Sequence, residues 1–159
     1  MLKDAAARLV VGGLGAPYDA LLAAALASEG PSMPLGPLDA QAMRRGRSTL
    51  PRGQCAPLLA TTGALLAMAE QTAPEPVTFL AAGSCGPCRY ALFGPAWRRA
   101  LAQAGASHVQ VVTIEQVWDS MLQGLGEPLW LRALDALLAG DALGLARRRV
   151  RPHVLDRGE

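Results

Sequence analysis

The residues in this sequence best equipped for chemistry are three thiols. Cys85 and Cys88 bound the run Cys85-Gly86-Pro87-Cys88, followed at once by Arg89, and Cys55 lies thirty positions before the first of them. An odd number of cysteines, in a sequence that opens Met1-Leu2-Lys3-Asp4-Ala5 with no basic region leading into a long apolar core, argues against a framework of structural disulfides. Metal or cluster ligation, thiol redox chemistry and inert buried thiols remain. A thiol at the start of a helix faces unpaired N–H groups and the positive end of the helix dipole. That setting favours the thiolate, the form that binds metal or attacks a disulfide. Arg89 puts a cation beside the pair, either to stabilise thiolate or cluster charge or as a helix-start arginine that meets a surface carboxylate.

The elements around the cysteines must bring them together. Leu9 to Leu14 reads as a short buried strand, followed by Gly12-Gly13-Leu14-Gly15-Ala16-Pro17 and a helix from about Tyr18 to Ser28 that Gly30 closes. Pro31 to Gly36 reads as a second strand. A short helix opens at Pro37-Leu38-Asp39 and is expected to end at Arg44-Arg45-Gly46, with loop from Arg47 to Gly53. A longer helix starts near Cys55, with Pro57 tolerated in its first turn, and runs to about Gln71. Val77 to Ala82 is the clearest strand and leads directly into the Cys85 to Cys88 run. A helix from about Arg89 to Ala104, bent or restarted at Gly94-Pro95, precedes a fourth strand, His108 to Ile114, and helices are expected near Glu115 to Gln123 and near Pro128 to Leu138, with a last helical stretch reaching about Arg149. Strands alternating with helices in this way predict an α/β fold over residues 1–159. Its sheet would be open, mostly parallel and about four-stranded, flanked by helices in a Rossmann-like three-layer arrangement. In such a sheet the ligand site lies beyond the carboxyl ends of the strands, where Cys55, Cys85 and Cys88 would converge.

Composition narrows the choices. Of the 159 residues, 51% are hydrophobic and 18% charged, so the chain can build a core and does not read as disordered. The apolar runs, such as Leu21 to Leu26 and Pro57 to Leu66, fall short of the roughly 20 residues that span a bilayer, and a cytoplasmic protein without membrane contact is expected. Net charge is only +2, and fourteen of the fifteen basic residues are arginine. Nucleic acid is not an expected partner; the dense cluster Arg147-Arg148-Arg149 with Arg151 reads as a solvated helix end. The glycine-rich turn after the first strand lacks the third glycine of a dinucleotide fingerprint, since Tyr18 stands there. No phosphate loop with its lysine and no Ser-His-Asp arrangement is present, so intrinsic ATPase or hydrolase chemistry has no support. Asp19, Asp39 and Asp135 read as helix-face or capping residues. Trp97, Trp118 and Trp130 read as core or partner contacts.

Three cysteine ligands at Cys55, Cys85 and Cys88 would leave one iron of a cubane cluster open to water, substrate or a ligand from another chain. Zinc held by three sulfurs and a histidine is the rival, but His108 is predicted at the amino end of a strand, the opposite edge, and His153 is the remaining histidine. A further reading leaves Cys55 as a small buried hydrophobe and has Cys85 and Cys88 act alone as a thiol–disulfide couple. From Val77 to about Leu101 the strand, Cys-Gly-Pro-Cys and helix resemble the thioredoxin active site, with Ser84 where that family has tryptophan. A non-catalytic scaffold that keeps the fold is the third class.

A wider pattern runs through Gly15-Ala16-Pro17-Tyr18, Arg47, Gly53-Gln54-Cys55-Ala56-Pro57, Thr61-Thr62-Gly63, Gly86-Pro87-Cys88-Arg89-Tyr90, Arg151-Pro152-His153 and Gly158-Glu159. In order and spacing it resembles the iron–sulfur component of the 2-hydroxyacyl-CoA dehydratase and benzoyl-CoA reductase superfamily, and most of all the module of acyl-CoA dehydratase activase-related proteins. The resemblance implies an oxygen-sensitive α/β module holding a cysteine-ligated cluster, most often of the 4Fe–4S type. It would act as an electron-transfer or substrate-activating component rather than a complete enzyme. Cys55 and Cys88 match the family's cysteines, while Cys85 falls where a small residue is commoner. The implied partner is an ATP-dependent activase or another redox protein, with a second copy of the chain as a further candidate. The family's modules run on past the Arg-Pro segment and add a cysteine, so this sequence reads as a minimal version of them.

Overall fold

The structure is a computed structural model that describes residues 7–81, 83, 89–113 and 126–153. Strand β1 (Arg8–Gly12) pairs with β2 (Ser32–Pro34) on one side and β3 (Val77–Ala81) on the other, and β3 pairs with β4 (Val109–Thr113). Every pairing is parallel and the order is β2-β1-β3-β4. The register sets Val10 opposite Phe79 and Phe79 opposite Val111, so these three share one face. Val11, Leu80 and Val112 share the other, and all six are buried. Apolar residues on consecutive positions are what a parallel strand covered on both faces requires.

Helix α1 (Tyr18–Leu26) links β1 to β2, α2 (Ala40–Thr49) and α3 (Ala56–Thr72) link β2 to β3, and α4 (Phe93–Gln103) precedes β4. The chain moves one way across the sheet from β1 to β2 and the opposite way from β2 through β3 to β4. Right-handed crossovers then place α1 on one face and α2, α3 and α4 on the other. The packing follows: Ala23 and Leu26 of α1 cover Val11, Leu80 and Val112. Leu58, Leu65 and Met68 of α3, with Phe93, Trp97 and Leu101 of α4, cover Val10, Phe79 and Val111. The expected open parallel sheet of four strands is therefore present. Helix α5 (Gly126–Val150) packs on α1.

Three elements differ from the sequence reading, each for a local reason. Helix α2 does not stop at Gly46 but continues to Thr49, where Leu50 turns extended ahead of Pro51. Gly46 serves a crossing instead of a stop: a side chain there would run into the Leu59 carbonyl, and one at Gly63 would run into the Ala42 carbonyl. Backbone meets backbone where α2 crosses α3. The helix after Cys88 begins as a 3-10 turn, Arg89–Leu92, and becomes α-helical at Phe93, one residue before Gly94-Pro95. The two segments expected from Pro128 to Arg149 form one helix, because Gly140 faces the ring of Tyr18 rather than ending a turn. The helix expected near Glu115 to Gln123 lies outside the described residues, as does Ile114.

Helix α3 is buried around most of its circumference, which its composition permits. Its threonines satisfy themselves: the hydroxyls of Thr61, Thr62 and Thr72 donate to the carbonyls of Pro57 (2.7 Å), Leu58 (2.7 Å) and Met68 (3.0 Å). Asp39 caps α2 by accepting from the Gln41 and Ala42 amides at 2.9 and 2.8 Å. No helix among the described residues is long and apolar enough to cross a membrane.

The crossing yields a test in which one substitution has opposite signs at two sites. Gly63→Ala should destabilise by about 2–3 kcal/mol, since its Cβ meets rigid backbone. Gly144→Ala in α5, whose Cβ would meet nothing closer than 3.7 Å, should stabilise by roughly 0.5–1 kcal/mol through helix propensity. Urea denaturation of both variants measures the contrast.

Candidate functional site

Parallel strands send their carboxyl ends to one edge, and a reversal of winding direction opens a crevice there, between the loops that leave β1 and β3. The β1 loop turns on Gly13 (φ +105°) and Gly15 (φ +83°), a backbone region that favours glycine. Consecutive N–H groups in such a turn form a concave donor site of the kind that cradles phosphate. Here the chain supplies its own anion. Asp19, in the first turn of α1, accepts from the Leu14 amide at 3.1 Å and the Gly15 amide at 3.0 Å, and its side chain is buried. The loop is thus tied to α1 from within. Asp19 turns out to be an anchor of this edge, and the readable signal was an acid at the start of a helix behind a Gly-x-Gly turn.

Burial, the larger effect, pushes the Asp19 carboxyl above its ordinary range, and the N–H groups of Leu14, Gly15 and Gly13 pull it part of the way back. The folded state therefore binds this proton more tightly than the unfolded chain does.

Opposite the β1 loop stand aromatic residues from the segment that follows Cys88. The Tyr90 hydroxyl lies 2.9 Å, and the Trp97 ring 3.8 Å, from where a Cβ on Gly13 would be, so the absence of a side chain at Gly13 admits both. Tyr90 stacks at a tilt on Phe93 with centroids 4.6 Å apart, and Trp97 meets Phe93 and Phe79 edge to face at 5.5 and 5.3 Å. Trp97 is fully buried, as a core residue should be, and its indole N–H has no hydrogen-bond partner among the described residues. Tyr90 was not singled out from the sequence; only its position beside Cys88-Arg89 could have pointed to it.

Cys55 is the N-cap residue of α3, half-buried against the main core, with no side-chain hydrogen bond to the helix. Its carbonyl accepts from Leu59 at 3.1 Å. The opposite end of α3 lies at the amino edge, where His108, just before β4, bonds through Nε2 to the Ala69 carbonyl at 3.0 Å. Cys55 and His108 are therefore at opposite edges of the sheet, as expected. His153 is exposed in the 3-10 turn Arg151–His153 after α5. Cys85 and Cys88 lie outside the described residues, and Arg89 is placed by its backbone at the start of the 3-10 turn. The described ends that flank the pair, Ala81 at the end of β3 and Arg89, both belong to the carboxyl-edge connection between β3 and α4. Among the described residues, no three or more His, Cys, Asp or Glu side chains are grouped to hold a metal ion.

Comparison with models of protein families, with curated proteins and with solved structures found no match. The site must be read from its own residues.

Beside Cys55, the loop that joins α2 to α3 stands away from α4 and leaves a groove of about 490 Å³, with Leu50, Leu58 and Pro95 as its apolar part and Gln54, Arg99 and Gln103 as its polar part. The carboxyl edge thus combines one thiol at the N-cap position of α3, an aromatic wall and a β1 loop whose Leu14 and Gly15 donors are already engaged.

Asp19→Asn should cost about 1–3 kcal/mol at neutral pH, because the amide nitrogen cannot accept the second backbone N–H. The sign with pH is fixed by the raised carboxyl. Its contribution is fully present below the ordinary aspartate pKa and is lost as pH rises through the folded value. The wild type's advantage over Asp19→Asn should therefore shrink as pH rises through that window, read from denaturant melts at a series of pH values.

Proposed function

We propose that the chain binds an iron–sulfur cluster through Cys55, Cys85 and Cys88 and serves as an electron-transfer or substrate-activating component. The observation that carries this reading is the position of Cys55. It is the N-cap residue of α3 at the sheet edge where β3 ends, and in sequence Cys85 and Cys88 follow β3 directly.

The donor set suits such a group. Three thiolates favour iron–sulfur chemistry over a three-sulfur zinc site completed by His108, since His108 is bound at the far edge. The buried rings of Phe79, Phe93 and Trp97 give that edge an apolar underside, and a low-dielectric surround is one of the levers that tune a cluster's potential. A bound cluster supplies one-electron transfer, and its open iron position would admit substrate or a ligand from a partner. Arg89 would balance negative cluster charge. The resemblance to the 2-hydroxyacyl-CoA dehydratase and benzoyl-CoA reductase superfamily extends the proposal to CoA thioesters as the substrate class. It also names an ATP-dependent activase or another redox protein as electron donor.

Protein purified without oxygen and reconstituted with ferrous iron and sulfide should carry the two in near-equal amounts and show visible charge-transfer absorption. Cys55→Ser and Cys88→Ser should each lose that chromophore. A metal-free protein with a reversible Cys85–Cys88 disulfide, whose reductase activity survives Cys55→Ser but not Cys88→Ser, would overturn the cluster reading in favour of thiol–disulfide exchange.

A further inference from the structure

Helices α3 and α4 cover the same face of the sheet and both start at its carboxyl edge, so their first turns adjoin. The groove of about 490 Å³ between α4 and the loop that joins α2 to α3 changes character along its length. Near the edge it is apolar, with Leu58 from the first turn of α3 and Pro95 and Ala96 from the first turn of α4. Arg99 and Gln103 follow one and two turns beyond Pro95. Positions 95, 99 and 103 repeat every four residues and share one side of α4, a stretch of about 12 Å at 1.5 Å per residue. The volume falls within the roughly 300–1,000 Å³ of clefts that hold small organic molecules.

The far end of the groove is cationic. Arg99 is exposed and has no carboxylate within ion-pair distance among the described residues. Arg8 and Arg45, by contrast, are paired with Glu75 and Glu70, and Arg98 donates to the Val111 carbonyl at 3.1 Å. None of the described residues that line the groove is acidic. Gln54 and Gln103 line it with side-chain amides that make no hydrogen bond among the described residues. A guanidinium presents paired N–H groups that match a carboxylate in both shape and charge, and the two amides add neutral donors. A single cation balances a monoanion, whereas a phosphate carries nearly two charges at neutral pH and would leave one unmatched. The apolar end, for its part, admits hydrocarbon and penalises a second charge.

We propose that this groove binds a small amphiphilic carboxylate, its head on Arg99 with Gln54 and Gln103 as further donors, and an apolar body of about six to ten carbons lying towards Leu58 and Pro95. The site needs neither a cluster nor a disulfide, so its failure would leave the cluster reading untouched.

The test titrates the full chain, metal-free and reduced, with octanoate, octanamide and octyl phosphate, and follows binding by calorimetry and amide chemical shifts. Octanoate should saturate with a Kd of about 0.1–1 mM and shift the amides of Gln54, Ala96, Arg99 and Gln103. Octanamide and octyl phosphate should each bind about tenfold more weakly. Arg99→Gln should raise the octanoate Kd about tenfold, and Arg99→Lys, which keeps the charge but loses the fork, about threefold. Neither should change the binding of octanamide. Gln103→Glu, which sets a like charge beside the head, should also raise the octanoate Kd about tenfold. Both altered side chains are exposed, so the variants should keep the circular dichroism and Tm of the wild type. Octanoate that fails to saturate below about 10 mM, an affinity indifferent to Arg99→Gln, or octanamide or octyl phosphate binding as tightly as octanoate would each overturn the proposal. So would shifts confined to residues outside the groove.

Discussion

Helix α3 can be covered by the sheet on one side and crossed by α2 on the other only because neither helix carries a side chain at the points of closest approach. Gly46 meets the Leu59 carbonyl and Gly63 the Ala42 carbonyl. With the two backbones that close, α3 becomes an interior element, and Leu58, Leu65 and Met68 join Val10, Phe79 and Trp97 in one cluster. Burying side chains of this size contributes about 1.5–3 kcal/mol each. The placement of Cys55 follows from this packing, because the residue that caps α3 has no freedom once the helix is held between two layers.

The carboxyl edge shows how a common fold is turned away from its commonest use. A glycine turn after β1 presents backbone donors that would suit a phosphate, yet Asp19 takes them from inside the molecule. The carboxylate is desolvated there and the donors offset only part of that cost, yet they tie the loop to α1. Across the crevice stand the rings of Tyr90, Phe93 and Trp97, and Cys55 begins α3 at the same edge.

Helix α5 belongs to a different layer of the design. Its glycines and alanines let it lie close on α1, while its leucines are spent on the outside, where they do nothing for the isolated chain. An amphipathic helix ordinarily turns its large apolar side chains inward.

Much of the fold was legible in the chain. The β-branched runs at β3 and β4, the Gly and Pro stops, and the alternation of strand and helix determined a parallel α/β sheet, and the placement of Cys55 at a helix start and of His108 at a strand's amino end came from local signals alone. An element whose glycine has a tertiary purpose was misread: Gly46 looked like the end of α2. Local sequence cannot distinguish a glycine that ends a helix from one that admits a neighbour. Likewise Asp19 read as a helix-face acid and Tyr90 was not noticed, since the donors of one and the ring neighbours of the other come from different turns of the chain. Residue types and spacing determined which elements form and which atoms can do chemistry. Only the tertiary structure decided which backbone groups are already engaged, which helix is interior and which apolar face is left outside, because those depend on contacts between segments that the chain separates.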